Sequence, residues 1–334
     1  MREKTRDNSK NNTAAAVAGA VAAGPGVPGA AAEGDAAAEA AAGGQEASSG
    51  AGQELPQKAP DRLAVLETIG RLEREGRFDV DAEDDPPTIP LTPDMVDYLQ
   101  VKPGSRAKAK AAYFVARKFV DKLLKEKKLV IKEVHGMENL NRIKSGAVIT
   151  CNHFNPFDCF TVEHLFQCSE HMGKRKLFKV IREGNFTNFP GFYGFLFRNC
   201  NTLPLSQNKK TMYLFLKAVD TILQRGDFIL IYAEQSLWWN YRKPKPLKNG
   251  AFKFAAKNNV PVVPFFITME DSGRIGEDGF PVQEYTVFIN EPIYPMEGLS
   301  ERAQVDAMRE RNYELNRETY EKFYGIPLTY TTEG

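Results

Sequence analysis

The chain has 334 residues, of which 42% are hydrophobic and 26% charged, and its formal net charge at pH 7 is +1. This composition is typical of a globular protein with one large domain or two ordinary ones, and it excludes a chain-wide polyelectrolyte attraction. No stretch of about 20 apolar residues is present, so we expect no ordinary membrane span. The four cysteines form no Cys-x-x-Cys pair and the four histidines lack ligand spacing, which argues against disulfides and a metal site.

Residues 1–60 are rich in Ala, Gly and Glu, and we expect a disordered low-complexity tail there. A basic start with Arg2 and Lys4, followed by an alanine-rich run from Thr13 to Ala23, has the outline of a secretory signal. Ala and Gly give that run little hydrophobicity, however, and the same composition continues beyond it. The sequence therefore favours a tail over a signal, and its unpaired thiols indicate a cytoplasmic protein.

Residues 61–104 predict a short helix followed by a proline-rich linker or arm. Apolar residues recur at helical spacing between Asp61 and Arg77, and Gly76 is a natural stop. Beyond residue 79 the chain is acidic and then rich in proline, which is typical of an irregular arm laid over the surface. The helical stripe consists of Leu63, Leu66, Ile69 and Leu72.

Residues 105–128 predict a basic amphipathic helix. Its apolar residues form one stripe, and Lys and Arg dominate the remaining face, opposed only by Asp121 and Glu126. Two interpretations stay open: a surface helix packed on the main domain, or an interfacial helix lying on an anionic membrane. Both hold if the helix is docked with its basic side towards lipid. The stripe comprises Ala112, Val115, Ala116, Phe119, Val120, Leu123 and Leu124.

Residues 129–330 alternate buried strands with helices, which predicts a single α/β domain with a mixed, mostly parallel sheet flanked by helices. The last helix has Ser300 as a plausible N-cap and Gly325 as its stop. The predicted strands cover 129–136, 147–151, 177–181, 227–233, 260–268 and 285–290, and the predicted helices cover 211–224, 250–257 and 300–324.

The strand over 147–151 leads to His153, and Asp158 follows five residues later across a turn that also contains Asn155. Open α/β sheets bind ligands at the carboxyl ends of their strands, and here the carboxylate can fold back onto one imidazole nitrogen. The other nitrogen is then free to remove a proton from a hydroxyl. A packing histidine beside a turn aspartate has the same spacing, so the pair alone fits both interpretations. The chain has no Gly-x-Ser-x-Gly elbow, which favours direct transfer over a covalent serine mechanism.

A second candidate cluster begins at Glu234, just past the strand over 227–233. A carboxylate there can bind a hydroxyl or position a cation, and the segment after it mixes cations with aromatic residues. That mixture suits a phosphate headgroup at a lipid surface, although a solvated basic loop has the same composition. Interleaved aromatics also occur in binders of single-stranded nucleic acid, but the rest of the domain lacks the sequence signature of a basic groove, so we expect no nucleic-acid partner. The segment contains Trp238, Trp239, Tyr241, Arg242, Lys243, Lys245, Lys248 and, opening the next helix, Gly250.

Residues 188–208 form a third candidate segment, which is rich in glycine and aromatic residues and contains Arg198. These residues either line an apolar pocket or form a packed loop, and composition does not separate the two. Arg182, which directly follows the strand over 177–181, is a further candidate for substrate binding together with Asn155 and Arg198.

Taken together and in this order, these segments resemble the glycerolipid acyltransferases of the lysophosphatidic acid acyltransferase family over about residues 105–325. Residues 152–158, NHFNPFD, are similar to that family's first block, the His-x4-Asp motif. The resemblance implies that His153 is the catalytic base and that Asp158 orients it.

Three further segments occupy the places of the family's later blocks. Residues 191–208 lie where the second block is expected, and YAEQSLWW lies where the third is expected, with Glu234 matching the family's glutamate. VPVVPFF, residues 260–266, is similar to the fourth block.

The resemblance implies an acyltransferase with a glycerol-3-phosphate acyltransferase-like fold and no metal or redox cofactor. The implied donor is an acyl thioester of coenzyme A or acyl-carrier protein. The implied acceptor is a lysophospholipid, with 1-acylglycerol 3-phosphate as the first choice. Such substrates imply a peripheral position on the anionic inner face of the cell membrane.

Two departures from the family pattern concern the acceptor. The second block usually carries an arginine in a Val-Asp-Arg setting, where this chain reads Leu205, Ser206, Gln207, Asn208. The third block usually reads Pro-Glu-Gly, where this chain reads Ala233, Glu234, Gln235. The family holds the acceptor's phosphate in these regions, so another alcohol or a glycolipid stays open as the acceptor. A non-catalytic membrane lipid-binding protein is the third interpretation, against which the intact His–Asp pair argues. A substitute cation can come from Arg198, Lys209, Lys210, Arg242 or Lys248.

Overall fold

The computed structural model describes residues 57–84 and 87–332. The tail predicted for residues 1–60 therefore lies outside the described residues up to residue 56. The strands are β1 (Val130–His135), β2 (Ala147–Thr150), β3 (Leu177–Ile181), β4 (Thr202–Pro204), β5 (Phe228–Ile231), β6 (Val262–Ile275) and β7 (Pro281–Ile289). The helices are α1 (Pro60–Arg74), α2 (Pro103–Lys125), α3 (Met137–Asn141), α4 (Pro156–Cys168), α5 (Glu183–Thr187), α6 (Gly191–Asn199), α7 (Lys209–Gln224), α8 (Gly250–Lys257) and α9 (Glu301–Tyr324).

Within the described residues the seven strands form one sheet in the order β1-β7-β6-β2-β5-β3-β4. β6 and β7 pair antiparallel, and the other neighbouring pairs are parallel. The predicted mixed, mostly parallel sheet is therefore confirmed. The central parallel strands β2, β5 and β3 direct their carboxyl ends to the same edge of the sheet, which is where the candidate residues lie.

Helices cover both faces of the sheet, and the two cores divide between alternate residues of β2. Val148 belongs to the apolar cluster that contains Phe215 of α7. Ile149 belongs to the opposite cluster, which contains Val162 of α4. Because both faces are covered, every residue of β2 and β5 is buried, and these strands have the continuous apolar sequence typical of a parallel sheet.

Side-chain caps fix where the flanking helices begin. Asn208 accepts hydrogen bonds from the backbone N–H groups of Lys210 and Thr211 at the start of α7. Ser300 accepts from the backbone N–H of Ala303 at the start of α9, and Gly325 ends that helix with a φ of 68°. The predicted cap and stop of the last helix are confirmed.

The strands at the margins of the sheet differ from the prediction. β6 was expected to end at Thr268 but continues to Ile275, because its second half pairs with β7 as a hairpin. That half is largely exposed, so it lacks the apolar run that marked the first half. β4 was not predicted: it has three residues and pairs with β3 at the edge of the sheet.

Helix α2 covers most of the segment predicted as a basic amphipathic helix, and it packs against α4 and α6. It buries Ala109, Ala112, Val120 and Leu123, while Phe114 remains 59% exposed. In the part of the chain that the structure describes, no helix combines the length and apolar character needed to cross a membrane.

Candidate active site

The candidate site lies at the edge of the sheet where β2, β3 and β5 end. Thr150 of β2 pairs with Ile231 of β5, and Lys179 of β3 pairs with Leu230. The residues that follow these strands are therefore brought to one level. His153 follows β2, Arg182 follows β3, and Tyr232 follows β5.

His153 and Asp158 are in direct contact, with 2.8 Å between His153 Nδ1 and Asp158 Oδ2. Asp158 lies in the first turn of α4, and the same oxygen accepts hydrogen bonds from the backbone N–H groups of Phe154 (2.9 Å) and Asn155 (3.3 Å). The capping of α4 thus holds the carboxylate against the imidazole. With the carboxylate as acceptor, Nδ1 carries the ring proton and Nε2 keeps its lone pair.

Tyr232 completes the support of this pair. Its hydroxyl donates to Asp158 Oδ1 over 2.6 Å, and its ring stacks on the His153 ring with 3.8 Å between centroids. Burial, followed by the neighbouring carboxylate of Asp158, raises the pKa of Tyr232 well above its ordinary value, so the hydroxyl stays protonated as a donor. The imidazole is therefore fixed both at one edge and on one face.

The second nitrogen of His153 is left without a protein partner. The His153 side chain is buried, and no hydrogen-bond partner reaches its Nε2 among residues 57–84 and 87–332. Buried polar atoms are almost always hydrogen-bonded, so an orphaned imidazole nitrogen marks a place where a ligand atom is expected. A substrate hydroxyl is the group that the lone pair of Nε2 can accept from.

The Glu234 carboxylate contacts the backbone of His153. Its Oε2 accepts from the backbone N–H of His153 (3.1 Å), and its Oε1 accepts from the backbone N–H of Lys245 (2.9 Å). It also forms a buried ion pair with Lys245, with 3.4 Å between Nζ and Oε2. The Lys245 ammonium donates to Ser236 Oγ and to the Ser236 carbonyl. Glu234 thus ties the histidine turn to the following loop, and its role in substrate binding remains a prediction.

Burial dominates the electrostatics of this ion pair. It raises the pKa of Glu234 and lowers the pKa of Lys245, and each partner partly offsets the shift of the other. The pair is therefore costly to desolvate, and either charge would be left unbalanced without its partner.

Asn155 has a structural position in this turn. Its Oδ1 accepts from the backbone N–H of Phe157 (2.8 Å) as the N-cap of α4. Its amide nitrogen donates to Asn240 Oδ1 (2.8 Å) and to the Tyr285 hydroxyl (3.2 Å). The bond to Asn240 joins the histidine turn to the loop after β5, and the bond to Tyr285 joins it to β7.

Two of the predicted cations, Arg182 and Lys248, meet carboxylates from the N-terminal arm. Arg182 pairs with Asp81, and Lys248 pairs with Asp79 over 2.8 Å. Burial lowers the pKa of Arg182 to about 10, which leaves the guanidinium protonated at neutral pH.

The remaining predicted residues lie in three different settings. Arg242 pairs with Asp271 at the surface over 2.6 Å, and Arg198 donates to backbone carbonyls near its own helix α6. Lys209 and Lys210 are exposed in the first turn of α7, and Gly250 is buried as the first residue of α8. The structure thus gathers His153, Asp158, Asn155, Glu234 and Arg182 at one edge, and substrate contacts by any of them remain predictions.

The aromatic segment around Arg198 contributes to a mainly apolar pocket of about 230 Å³. The pocket lies between α2, α4, β3 and α6, and Tyr232 forms part of its wall. Lys179 also lines it, but its ammonium is paired with Glu163 and donates to the Tyr113 hydroxyl. Representative apolar lining residues are Phe119, Phe160, Val180 and Leu196.

Three important side chains were not predicted from the sequence. Tyr232 extends an apolar strand and resembles a core residue, although a hydroxyl at the carboxyl end of a strand is a usable signal. Lys245 was predicted only as one cation among several, and its burial depends on Glu234. Asp81 lies in an acidic arm, and no local pattern links it to Arg182, which is 101 residues away.

Replacing Tyr232 with phenylalanine is expected to lower kcat roughly three- to tenfold, because one hydrogen bond to a carboxylate is lost. The stacked ring remains, so the fold and the thermal unfolding temperature should change little. The measurement is kcat at saturating substrates. Tyr285→Phe is the matched control, because the Tyr285 hydroxyl bonds Asn155 rather than Asp158. Equal kcat values for the two variants would contradict a role of Tyr232 in holding Asp158.

Comparison with known proteins gives three similarities. Residues 132–268 match the family model described as Acyltransferase. A chloroplastic 1-acyl-sn-glycerol-3-phosphate acyltransferase of Brassica napus is 27% identical over 167 residues, which are 48% of this chain and 45% of that protein. The match thus spans less than half the length of this curated relative. The crystal structure of the 1-acyl-sn-glycerophosphate acyltransferase from Thermotoga maritima aligns with a TM-score of 0.45 and 19% identity, covering 66% of this chain and 84% of that one.

Proposed function

We propose that this chain, whose residues 132–268 match the Acyltransferase family model, transfers a fatty acyl group from a thioester to a lysophospholipid hydroxyl. The preferred acceptor is 1-acylglycerol 3-phosphate. The observation that carries the proposal is the buried His153–Asp158 pair, whose second imidazole nitrogen lacks a partner in the described residues.

The proposed reaction is a direct acyl transfer. Nε2 of His153 takes the proton of the acceptor hydroxyl while the oxygen attacks the thioester carbonyl. Asp158 stabilises the imidazolium that forms, and a tetrahedral oxyanion results. This intermediate collapses to an ester and expels the thiolate, which receives the proton from the imidazolium. Atoms and charges balance without a covalent acyl-enzyme.

The pocket beside Tyr232 supports the donor side of this proposal. Its walls are mainly apolar, and Tyr232 joins it directly to Asp158. Apolar walls suit an alkyl chain, because each buried methylene gains about 0.8 kcal/mol. An acyl chain in this pocket would hold its thioester next to the histidine.

The identity of the acceptor is less determined than that of the donor, and one observation favours an acceptor other than 1-acylglycerol 3-phosphate. Where the family has Val-Asp-Arg, this chain has Leu205, Ser206, Gln207 and Asn208, none of which is a cation. The Ser206 hydroxyl lies 2.8 Å from Glu183 and 3.0 Å from the carbonyl of Leu91. A serine bonded in this way offers no positive charge to a phosphate. Another alcohol or a glycolipid is therefore the second candidate acceptor.

In the decisive experiment the purified full chain is incubated with a set of acceptors and a donor that carries a labelled acyl group. The donor is the thioester of either coenzyme A or acyl-carrier protein. The acceptors are 1-acylglycerol 3-phosphate, lysophosphatidylcholine and a glycolipid. We expect ester formation to be fastest with 1-acylglycerol 3-phosphate. Faster transfer to the glycolipid would favour the second candidate. If none of the acceptors supports turnover of the thioester, acyl transfer to lipids is refuted.

Helix α2 is expected to bring the protein to anionic membranes. Its exposed face carries Lys108 and Lys110, and each basic residue near an anionic surface contributes about 1 kcal/mol. Sedimentation with anionic liposomes should fall as salt rises from about 0.05 M to about 0.5 M, because salt screens exposed charges.

The matched variants for this test each remove two exposed lysines. Lys108→Gln with Lys110→Gln should weaken sedimentation, whereas Lys144→Gln with Lys174→Gln should not, because those exposed lysines lie outside α2. Equal binding to neutral vesicles would contradict the electrostatic part of the proposal.

A further inference from the structure

Residues 78–83, which we call the acidic strap, lie against the loop after β5. Ser236 Oγ donates to the carbonyl of Phe78 (2.5 Å), and the indole N–H of Trp238 donates to the carbonyl of Val80 (2.7 Å). The strap carries three carboxylates, and the loop belongs to the segment predicted to bind a phosphate headgroup.

One strap carboxylate occupies a site built for an anion. Asp81 Oδ1 accepts from the backbone N–H of Leu237 over 2.7 Å, and Oδ2 pairs with Arg182. A guanidinium together with a backbone N–H is the donor combination that proteins use for phosphate oxygens. The side chains of Arg182 and Asp81 are 17% and 16% exposed, so a ligand can reach the site from solvent.

The strap is connected to the catalytic histidine through this loop. The backbone N–H of Trp238 donates to the carbonyl of His153 (3.3 Å), and that of Asn240 donates to the carbonyl of Phe154 (3.1 Å). In this arrangement the His153 side chain has no solvent exposure. An acceptor hydroxyl therefore cannot reach Nε2 unless something near it moves.

The loop has strained backbone at both of its ends. Gln235 has a φ of 69° and Asn240 has a φ of 51°, values that side-chain-bearing residues rarely adopt. Such strain is often found in segments with two conformations. Residues 236–239 are thus bounded by two positions from which a rearrangement can start.

We propose that Asp81 is an internal stand-in for the acceptor's phosphate and that a phosphate-bearing acceptor displaces the acidic strap from Arg182 and the Leu237 N–H. The displacement releases residues 236–239 and uncovers His153. This inference rests on the proposed function, because it assigns an anion site to the same acceptor. It also makes Asp81 a specificity-determining residue: acceptors without a phosphate monoester leave the strap in place.

Charge explains why the exchange is possible. A phosphate monoester carries about 1.5 to 2 negative charges at neutral pH and three acceptor oxygens, whereas Asp81 offers one charge and two oxygens. The other ion pair between the strap and the loop, Asp79 with Lys248, is nearly half exposed and contributes little. Asp81 is therefore the group whose removal should change acceptor affinity most.

The chain's two tryptophans report on the strap. The Trp238 ring stacks on Phe78 with 5.5 Å between centroids, and Trp239 belongs with Trp238 to an apolar cluster that Val80 and Ala82 of the strap pack against. The chain contains no other tryptophan, so its intrinsic fluorescence should change when the strap leaves.

The test is a fluorescence titration of the full chain with 1-acylglycerol 3-phosphate, lysophosphatidylcholine and inorganic phosphate. We expect a saturable change with the first titrant alone. In Asp81→Asn, the concentration of 1-acylglycerol 3-phosphate that gives half of the fluorescence change should fall about tenfold, because a charged hydrogen-bonded competitor is removed. KM for this acceptor should fall similarly, with KM for the donor unchanged. Arg182→Gln should abolish the change. Asp220→Asn, whose carboxylate pairs with Lys257 away from the site, should behave as wild type.

Asparagine can still accept from the Leu237 N–H, so Asp81→Asn is expected to keep the fold, and its thermal unfolding temperature verifies this. Unchanged half-saturation in a folded Asp81→Asn variant would refute the stand-in. An equal rise of both KM values would show that Asp81 only supports the structure, which also refutes it. A similar change with inorganic phosphate would indicate a site for free phosphate instead.

The two proposals fail in different ways. Acyl transfer to 1-acylglycerol 3-phosphate with no effect of Asp81→Asn would overturn the strap and keep the enzyme. A strap-dependent fluorescence change without acyl transfer would overturn the enzyme and support the anion site.

Discussion

His153→Ala is expected to reduce acyl transfer by about 100-fold or more, because the substitution removes the proposed base. The imidazole is the group whose Nε2 can take the acceptor's proton, and alanine leaves none at that place. Asp158 keeps its bonds from the backbone N–H groups and from Tyr232, so the turn should stay folded. Single-turnover transfer from labelled acyl-CoA by the purified variant, alongside its circular dichroism, measures both effects.

Asp158→Asn is the companion variant for this prediction. The amide matches the carboxylate in size but lacks its charge, so it stabilises the imidazolium less. A loss of rate smaller than that of His153→Ala, with the fold retained, is the expected result. Near-normal transfer by purified His153→Ala would rule out the proposed mechanism.

Lys245→Met is expected to lower the free energy of unfolding by about 3–5 kcal/mol, because it leaves the buried Glu234 carboxylate without its partner. Both side chains are only 1% exposed, so water cannot replace the ammonium. Methionine has a similar length, which limits the loss of packing. Urea denaturation at neutral pH measures the change.

The loss in free energy of unfolding caused by Lys245→Met should depend on pH in a defined direction. Burial already raises the pKa of Glu234 above its ordinary value of 4.5, and Lys245 is the group that opposes the shift most. Without Lys245 the folded variant holds a proton that the unfolded chain releases above pH 4.5. The stabilisation that comes from this proton is therefore fully present below pH 4.5, and it is lost as pH rises through the pKa of Glu234 in the folded variant. We expect a smaller deficit at pH 5 than at pH 8.

Lys248→Met is the matched control, because that lysine pairs with Asp79 at the surface. Exposed ion pairs contribute about 1 kcal/mol or less, so this variant should remain close to wild type at both pH values. A Lys245→Met variant as stable as Lys248→Met would contradict the importance of the buried pair.

The fold class was accessible from the sequence because its information is local. Continuous apolar runs marked β2, β3 and β5, and caps such as Ser300 and Gly325 marked helix ends. The spatial order of the strands was not accessible, because it depends on crossovers that no single segment encodes. β4 and the outer half of β6 were missed since neither has a sustained apolar pattern.

In the candidate site, too, contacts between residues close in sequence could be predicted, whereas contacts between distant segments could not. The contact between His153 and Asp158 could be predicted because both lie on one turn and the start of α4 brings them together. The partners of Arg182 and Lys248 could not, since the arm that supplies Asp81 and Asp79 is more than 100 residues away. Composition showed which charges were present but not which of them were paired.

Under the proposed function, the position of Tyr232 limits how this protein could be re-engineered for different fatty acids. One side chain serves as pocket wall, as stacking partner of His153 and as hydrogen-bond donor to Asp158. Enlarging the pocket at Tyr232 would therefore disturb proton transfer together with chain-length preference. Variation of acyl preference with retained turnover should instead begin at the far walls, at Phe119 of α2 or Leu196 of α6.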